Sequence, residues 1–189
     1  MSQRLKNIFC LTRSLTCAVL TAVILMGILV VLGGCLSPAK AAALETLGKF
    51  GDWTAYQSDE GGKKICFMSA APTKSEGKYK KRGQIYAMVT HRPAENSRDV
   101  FSFLSGYSYQ SGAEVIVTID GEKFALAGDG ETAWTPSDEL DRKLTAALAK
   151  GSNLMVEGSS SRGTKTKDSF SLKGSGDAYA AINKACPAQ

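Results

Sequence analysis

The stretch AEVIVTIDGEKFALAG, residues 113–128, decides the fold class of this chain. Apolar residues alternate with others along both of its halves, at Val115, Val117, Ile119, Phe124 and Leu126. Alternation with a period of two places these side chains on one face of a β-strand. The central Asp120-Gly121 pair favours a two-residue type I′ turn, because glycine adopts a positive φ at little cost. The stretch therefore predicts an antiparallel β-hairpin.

Similar alternation recurs along the rest of the chain after residue 42. It is found in residues 50–57, 63–70, 83–90, 98–107, 153–158 and 168–174. Turn-forming residues such as SDEGG separate these segments and predict strands joined by short connections. Two segments, residues 74–83 and 159–168, are polar and rich in turn formers, so both are predicted to be exposed loops.

A helix is predicted in TPSDELDRKLTAALAKG, residues 135–151. Thr135 is expected to cap the helix, Pro136 suits its first position, and acids fill its first turn. Gly151 is expected to end it. The apolar stripe of this helix consists of Leu140, Leu144, Ala147 and Leu148.

A second helix is predicted near residues 176–185, with Tyr179, Ile182 and Cys186 on one face. About eight strands and two helices predict a mostly β domain. Short strands joined by short turns favour a β-sandwich among the mostly β architectures.

The first 41 residues have the composition of an export leader. Three basic residues and no acid precede an uncharged, almost wholly apolar run at residues 14–32. A basic start followed by an apolar run is typical of a secretory signal. We therefore divide the chain into a leader, residues 1–41, and a single domain, residues 42–189.

Three fates of this leader remain open. The small-residue patterns AKA and AAA, at residues 39–41 and 41–43, suit ordinary signal cleavage. The sequence LGGC ending at Cys35 resembles a bacterial lipobox, in which Cys35 would become the lipidated first residue. The apolar run is also long enough to remain as a membrane anchor. Each fate exports the domain to the periplasm or the cell envelope.

The net charge of the chain depends on the leader. The whole sequence carries a formal charge of +5, but four of its basic residues and none of its acids precede residue 42. The exported domain therefore has nineteen Lys and Arg against eighteen Asp and Glu. A net charge near zero gives no global field for nucleic acid.

Two of the five cysteines, Cys66 and Cys186, lie in the domain. In an oxidising compartment two cysteines most simply form one disulfide. This disulfide would close a loop of about 120 residues, for which the chain-entropy model gives roughly 4–5 kcal/mol. A redox or metal-binding pair is the alternative, although the sequence has no CxxC motif and a single histidine.

Several short motifs, taken in order, resemble the invasion-associated locus B family of bacterial envelope proteins. They are FGDW at 50–53, Cys66, Gly106-Tyr107, Ser111-Gly112, VTIDG at 117–121, Phe124, Leu126, Ala133-Trp134, SLKG at 171–174, Ala180-Ala181 and Cys186. The resemblance implies an immunoglobulin-like β-sandwich exported to the periplasm or the outer surface. The family is named for a member that promotes bacterial entry into red blood cells, and it has no established catalytic residues.

The residues themselves give little support for catalysis or metal binding. His91 lacks a GxSxG serine to form a triad and is interpreted as a polar residue at a strand end. Acids crowd one region, at Asp129, Glu131, Asp138, Glu139 and Asp141. The last three begin a helix, where the dipole favours acids, so capping is preferred to glycosidase-type chemistry. We predict no catalytic residues, no metal site and no cofactor, and place Trp53 and Trp134 in the core.

A basic stretch is the main candidate for contact with a partner. It surrounds Tyr79 and contains Lys74, Lys78, Lys80, Lys81 and Arg82. These cations could meet anionic lipid, lipopolysaccharide or glycan, with Arg162, Lys165 and Lys167 nearby if the loops converge. A merely solvated loop is the alternative.

Three functional hypotheses follow. The first is a non-enzymatic envelope protein that binds an envelope or host-surface protein or glycan, with the leader as a possible membrane attachment and no role for nucleic acid. The second is a periplasmic chaperone or envelope-stress assembly factor, which would need an exposed apolar patch or strand edge. The third is a hydrolase on the same fold, which would need a pocket with converging titratable groups.

Overall fold

A computed structural model of the protein describes residues 44–110 and 112–188. The predictions for the leader, residues 1–41, and for lipidation at Cys35 lie outside the described residues. The described strands are β1 (Glu45–Phe50), β2 (Trp53–Glu60), β3 (Lys63–Ala70), β4 (Lys74–Gly77), β5 (Tyr86–Arg92), β6 (Ser97–Leu104), β7 (Ala113–Ile119), β8 (Glu122–Asp129), β9 (Thr132–Trp134), β10 (Asn153–Ser159) and β11 (Lys165–Ser171). The helices are α1 (Asp138–Lys150) and α2 (Ser175–Ala185), with a 3₁₀ turn at Pro93–Glu95.

All eleven strands pair antiparallel in one sheet, in the order β1-β2-β3-β5-β6-β9-β8-β7-β10-β11-β4. The sheet folds over itself, because side chains from both of its halves share one apolar core with the two helices. The rings of Phe103 on β6 and Phe170 on β11 meet edge to face, with centroids 6.2 Å apart. The predicted mostly β, sandwich-like fold is confirmed, with more strands than the eight or so expected.

The hairpin predicted at residues 113–128 is present. Strands β7 and β8 pair in register from Ala113↔Gly128 to Ile119↔Glu122, which leaves a two-residue turn. Asp120 and Gly121 have φ of 45° and 97°. Two consecutive positive φ values are the signature of a type I′ turn. The hairpin's inward side chains are buried, as the alternation predicted.

Three strand predictions were wrong. The segment at 50–57 was predicted as one strand, but β1 ends at Phe50 and β2 begins at Trp53, so the two form a hairpin. Residues 74–77 were predicted as loop, yet they form β4 at the edge of the sheet against β11. Residues 165–168, also predicted as loop, begin β11. These polar segments lack apolar alternation, and only pairing with distant strands makes them extended.

The predicted start of the first helix was also wrong. The side chain of Ser137 caps α1 by accepting a hydrogen bond from the backbone N–H of Leu140 at 3.3 Å. Thr135 and Pro136 therefore lie before the helix rather than in it. The acids of the first turn and the end at Gly151 are as predicted, and α2 matches its predicted segment to within one residue.

The motifs FGDW and SLKG lie about 120 residues apart in the chain but meet in one corner of the fold. The indole Nε1–H of Trp53 donates to the carbonyl of Ser171 at 3.0 Å. The backbone N–H of Asp52 donates to the carbonyl of Lys173, also at 3.0 Å. Trp53 is fully buried, so its indole N–H needs this partner. The corner ties the β1–β2 turn to the end of β11.

Two glycines allow the corner to close. Gly51 and Gly174 both have positive φ, at 56° and 86°. A Cβ on Gly174 would collide with the carbonyl oxygen of Phe50, and one on Gly51 would collide with that of Lys173. Glycine is required at both positions because backbone passes directly over backbone here.

Cys66 on β3 and Cys186, just past the end of α2, form the predicted disulfide. Both residues are buried, so the bond attaches the last helix to the core side of the sheet. Neither helix among the described residues is long and apolar enough to cross a membrane.

Replacing Gly174 by alanine tests the corner, with Gly62→Ala as a matched control. Gly62 has a φ of 85°, but open space surrounds the position of its missing Cβ. Gly62→Ala should cost about 1–2 kcal/mol of unfolding free energy, the penalty for positive φ alone. Gly174→Ala should cost roughly 2–4 kcal/mol more, because it also forces backbones apart. Urea denaturation measures both values, and equal losses in the two variants would contradict the proposed close contact.

Candidate functional site

Three segments that are distant in sequence, residues 78–82, 107–108 and 160–166, converge on a groove of about 480 Å³. We call it the basic groove. Its lining residues are Lys78, Tyr79, Lys80, Lys81, Arg82, Tyr107, Ser108, Ser160, Ser161, Arg162, Thr164 and Thr166. The two polar segments around residues 80 and 162 were expected to lie near each other only if their loops converged. The structure brings them together.

Sheet pairing positions these segments. Because β4 pairs with β11, with Gly77 opposite Thr166, the chain that leaves β4 passes along the end of β11. The turn between β10 and β11 is joined to residues 107–108 by the backbone hydrogen bond from Ser161 N–H to the carbonyl of Ser108, at 2.8 Å.

A close contact between Gly83 and Gly106 holds residues 78–82 next to residues 107–108. The N–H of Gly83 donates to the carbonyl of Gly106 at 2.8 Å. A Cβ on Gly106 would lie 2.7 Å from the backbone of Gly83, and the φ of Gly106 is 71°. Gly106 therefore serves the approach of the two segments, and this explains the Gly-Tyr motif at residues 106–107.

Arg82 forms the base of the basic groove. Its guanidinium makes a bidentate pair with the carboxylate of Asp168, at 2.8 and 2.6 Å, and Nε–H donates to the carbonyl of Ser105 at 2.7 Å. The side chains of Arg82 and Asp168 are 4% and 0% exposed. Burial alone would lower the pKa of Arg82, but the hydrogen bonds and charge of Asp168 raise it overall. Arg82 is therefore permanently charged and already paired.

Two tyrosine rings lie against the guanidinium of Arg82. The centroids of Tyr79 and Tyr107 are 5.5 and 4.9 Å from its central carbon, within cation–π range. The Tyr107 hydroxyl lies 2.8 Å from the hydroxyl of Thr166 on β11. These contacts fix the orientation of both rings, and Tyr79 remains 38% exposed at the groove.

The remaining cations of the basic groove are solvent-exposed. They are Lys78, Lys80, Lys81 and Arg162. Among the described residues that line the groove there is no Asp or Glu. Four exposed cations with no lining carboxylate make a local positive field, which suits an anionic ligand.

The structure divides the predicted basic stretch into three kinds of residue. Lys78, Lys80 and Lys81 line the groove as exposed cations. Lys74 lies on β4, forms an ion pair with Glu76 at 3.1 Å and does not line the groove. Arg82 differs from the expected exposed cation, because its buried guanidinium binds Asp168. No local pattern around Arg82 indicates this burial, because Asp168 lies 86 residues further along the chain.

His91 is a buried residue rather than a simple polar residue at a strand end. Its Nδ1 accepts a hydrogen bond from the backbone N–H of Asp99 at 3.0 Å, so Nε2 carries the proton and donates to the Asn183 side chain at 3.1 Å. Burial, and then the nearby Arg98 cation, lower the pKa of His91 despite the Asp99 carboxylate. The Tyr179 hydroxyl donates to that carboxylate at 2.7 Å.

This His91 network supports the disulfide end of α2. Arg98 donates to the carbonyl of Cys186 at 2.7 Å and to the side chain of Asn183 at 2.6 Å. Cys66, the other half of the disulfide, lies opposite His91 in the β3–β5 pairing. A structural role explains every polar contact of His91.

Two other sequence candidates differ from expectation. The Asp141 carboxylate is buried and accepts a hydrogen bond from the backbone N–H of Phe101 at 2.8 Å, so it connects α1 to β6 rather than capping the helix. Burial raises its pKa. Trp134, predicted in the core, is 44% exposed, whereas Trp53 is fully buried. The described part of the chain has no cluster of three or more His, Cys, Asp or Glu placed to hold a metal.

Comparison with known proteins confirms the family resemblance. The family model described as "Invasion associated locus B (IalB) protein" matches residues 53–183, which include all three segments of the basic groove. The crystal structure of invasion associated protein B from Bartonella henselae is similar, with a TM-score of 0.51 and 16% sequence identity. The match covers 74% of this chain and 95% of that one, and it shows a common fold. No curated protein matches the chain.

Removing Arg82 alone should destabilise the domain strongly. Arg82→Met leaves the Asp168 carboxylate buried without its partner, which should cost about 3–5 kcal/mol. The double variant Arg82→Met/Asp168→Leu removes both charges and should recover most of that loss. Urea denaturation of both variants measures the difference. A single variant that is as stable as the double would show that the pair is solvated rather than buried.

The His91 network should make the domain sensitive to mild acid. The folded-state pKa of His91 is lowered from 6.5, so the unfolded chain binds more protons below that pH. The contribution of His91 to stability is therefore complete above about pH 6.5 and falls as the pH drops toward the folded-state pKa. His91→Gln keeps a donor and an acceptor but cannot titrate. The slope of unfolding free energy against pH should be smaller in this variant than in wild type. Identical slopes in the two proteins would assign the acid effect to other groups.

Proposed function

The chain belongs to the invasion associated locus B family, and from this premise we propose that it is an exported, non-enzymatic binding module. Its ligand is an anionic component of the cell envelope or of a host surface. The basic groove is the binding site, and the disulfide-linked sheet is the scaffold that presents it.

One observation carries this proposal. The groove is lined by four exposed cations and, among the residues described, by no carboxylate. The exported domain has nearly equal numbers of acids and bases, so this excess of positive charge is local. In a concave site partly shielded from water, charge attraction is stronger than on an open surface.

The rigidity of the groove floor supports binding. Arg82 is held by three hydrogen bonds and two aromatic rings, and the loops above it are attached through backbone hydrogen bonds. A preorganised site loses less conformational entropy when a ligand binds. Loops on a rigid β-scaffold are a common arrangement for recognition.

The chaperone and hydrolase hypotheses receive less support. The large apolar side chains exposed in the described part of the chain are Leu44, Tyr79 and Trp134, which lie in three separate segments. Binding of unfolded clients through an apolar patch would require a contiguous apolar surface. His91, the natural candidate for a general base, is enclosed by structural hydrogen bonds.

Export is part of the proposal. The leader composition, the disulfide and the family all support a location in the periplasm or cell envelope. Whether the leader is cleaved, lipidated at Cys35 or retained would determine how the domain is attached to the membrane.

Cross-linking in the native host tests the proposed function. The test variant carries Lys78→Ala, Lys80→Ala, Lys81→Ala and Arg162→Ala, and it leaves Arg82 in place because the fold needs that residue. The control carries Lys49→Ala, Lys64→Ala, Lys123→Ala and Lys184→Ala, four exposed lysines outside the groove. Both variants lose four positive charges, and both should unfold at the same urea concentration as the wild-type protein.

We expect wild type and control to capture the same anionic partner, and the groove variant to lose at least nine-tenths of it. Equal capture by both variants would contradict a role for the groove. Capture of many unrelated unfolded chains by all three proteins would favour the chaperone hypothesis instead.

A further inference from the structure

We propose that the ligand of the basic groove is a phosphate-bearing oligosaccharide. This inference rests on the proposed function and specifies the chemistry of the partner. It depends on three features of the groove: its concave shape, its hydroxyl-rich walls, and the placement of its cations and exposed tyrosine.

The concave shape favours an extended polymer over a membrane surface. The groove has a volume of about 480 Å³ and lies between loops from different parts of the chain. That volume is within the range of roughly 300–1,000 Å³ that small-ligand sites occupy. A flat bilayer meets protruding surfaces and does not enter a groove of this size. A short stretch of sugar chain does enter it.

Hydroxyl groups form most of the rest of the lining. Besides the cations, the groove is lined by Tyr79, Tyr107, Ser108, Ser160, Ser161, Thr164 and Thr166. A hydroxyl both donates and accepts hydrogen bonds, as the hydroxyls of a sugar do. The hydroxyls of Tyr107 and Thr166 pair with each other, but those of Ser108 and Ser161 are exposed and would lose contact with water under a lipid tail or an apolar peptide, at a cost in free energy.

The number and kind of the cations suit phosphate. Three of them, Lys78, Lys80 and Lys81, lie within four consecutive residues, and Arg162 comes from another segment of the lining. A phosphate monoester carries a charge between about −1.5 and −2 near neutral pH and has three acceptor oxygens. Lysine ammonium groups bind it as point charges, and arginine binds it through paired N–H groups. Several cations around one site suit a multiply charged anion better than a single carboxylate.

Tyr79 contributes the apolar part of the site. Its ring lies against Arg82 with a centroid distance of 5.5 Å, and 38% of the residue remains exposed. A tyrosine ring offers an apolar face beside a polar hydroxyl, which matches the C–H face and the hydroxyls of a sugar ring. Arg82 orients this ring and, because its charge is paired with Asp168, leaves phosphate binding to the exposed cations.

Calorimetric titration of the folded domain tests the inference. The probe is a β-1,6-linked glucosamine disaccharide with a phosphate on each sugar. Its comparison ligands are the same disaccharide without phosphate, inorganic phosphate, and vesicles of phosphatidylglycerol in phosphatidylcholine. We expect the bisphosphorylated disaccharide to bind at least tenfold more tightly than the unphosphorylated disaccharide or inorganic phosphate. The quadruple groove variant should lose this affinity at least tenfold, and the quadruple control variant should keep it.

Tyr79 variants separate sugar recognition from charge. Tyr79→Ala should weaken disaccharide binding at least threefold and leave inorganic phosphate binding unchanged, whereas Tyr79→Phe should retain most of the disaccharide affinity. Unfolding curves establish that each variant is folded.

The remaining outcomes overturn the inference in distinguishable ways. Binding to the anionic vesicles alone, lost in the groove variant, would exclude the saccharide and leave the proposed anionic binding module intact. Inorganic phosphate that binds as tightly as the disaccharide would exclude sugar recognition. If no probe binds but the cells still yield a groove-dependent partner, only the ligand class is wrong. If that capture also fails, the proposed function fails with it.

Discussion

The buried pair between Arg82 and Asp168 is the interaction on which the candidate site depends. It joins the loop after β4 to β11, and the guanidinium also holds two tyrosine rings. A buried ion pair is not by itself evidence of stability, because desolvation opposes the attraction. Its effect here is geometric, since an arginine with a bidentate partner has one allowed orientation. The exposed lysines on either side of Tyr79 are thereby presented from a fixed loop.

The rest of the fold provides the frame for this pair. A single eleven-stranded sheet must curve for both of its halves to cover one core. The FGDW and SLKG corner ties the β1–β2 turn to the end of β11, and the disulfide attaches α2 to β3. Neither tie involves a residue that lines the groove. The motifs that carry the family resemblance therefore belong to the scaffold, and of them only Gly106-Tyr107 contributes to the groove.

The sequence allowed the local elements to be predicted and left the long-range ones open. Strong alternation and Asp120-Gly121 were sufficient for the β7–β8 hairpin, and cysteine number with an export leader was sufficient for the Cys66–Cys186 disulfide. Strand β4 was missed because its polar residues become a strand only by pairing with β11. The burial of Arg82 was missed for the same reason, since its partner is far along the chain. The lysines were found as candidates from composition, but the groove that unites them with Arg162 is a product of topology.

The exposed cations of the basic groove are proposed to bind anions as one site, while Arg82 stays paired with Asp168. NMR titration of the labelled domain with inorganic pyrophosphate distinguishes one such site from scattered binding over the surface. We expect backbone signals of residues 78–82, 107–108 and 160–166 to shift together along one saturating curve, with little change at the exposed lysines Lys49, Lys64, Lys123 and Lys184. Shifts spread evenly over all exposed lysines, or no saturation in the groove, would contradict it.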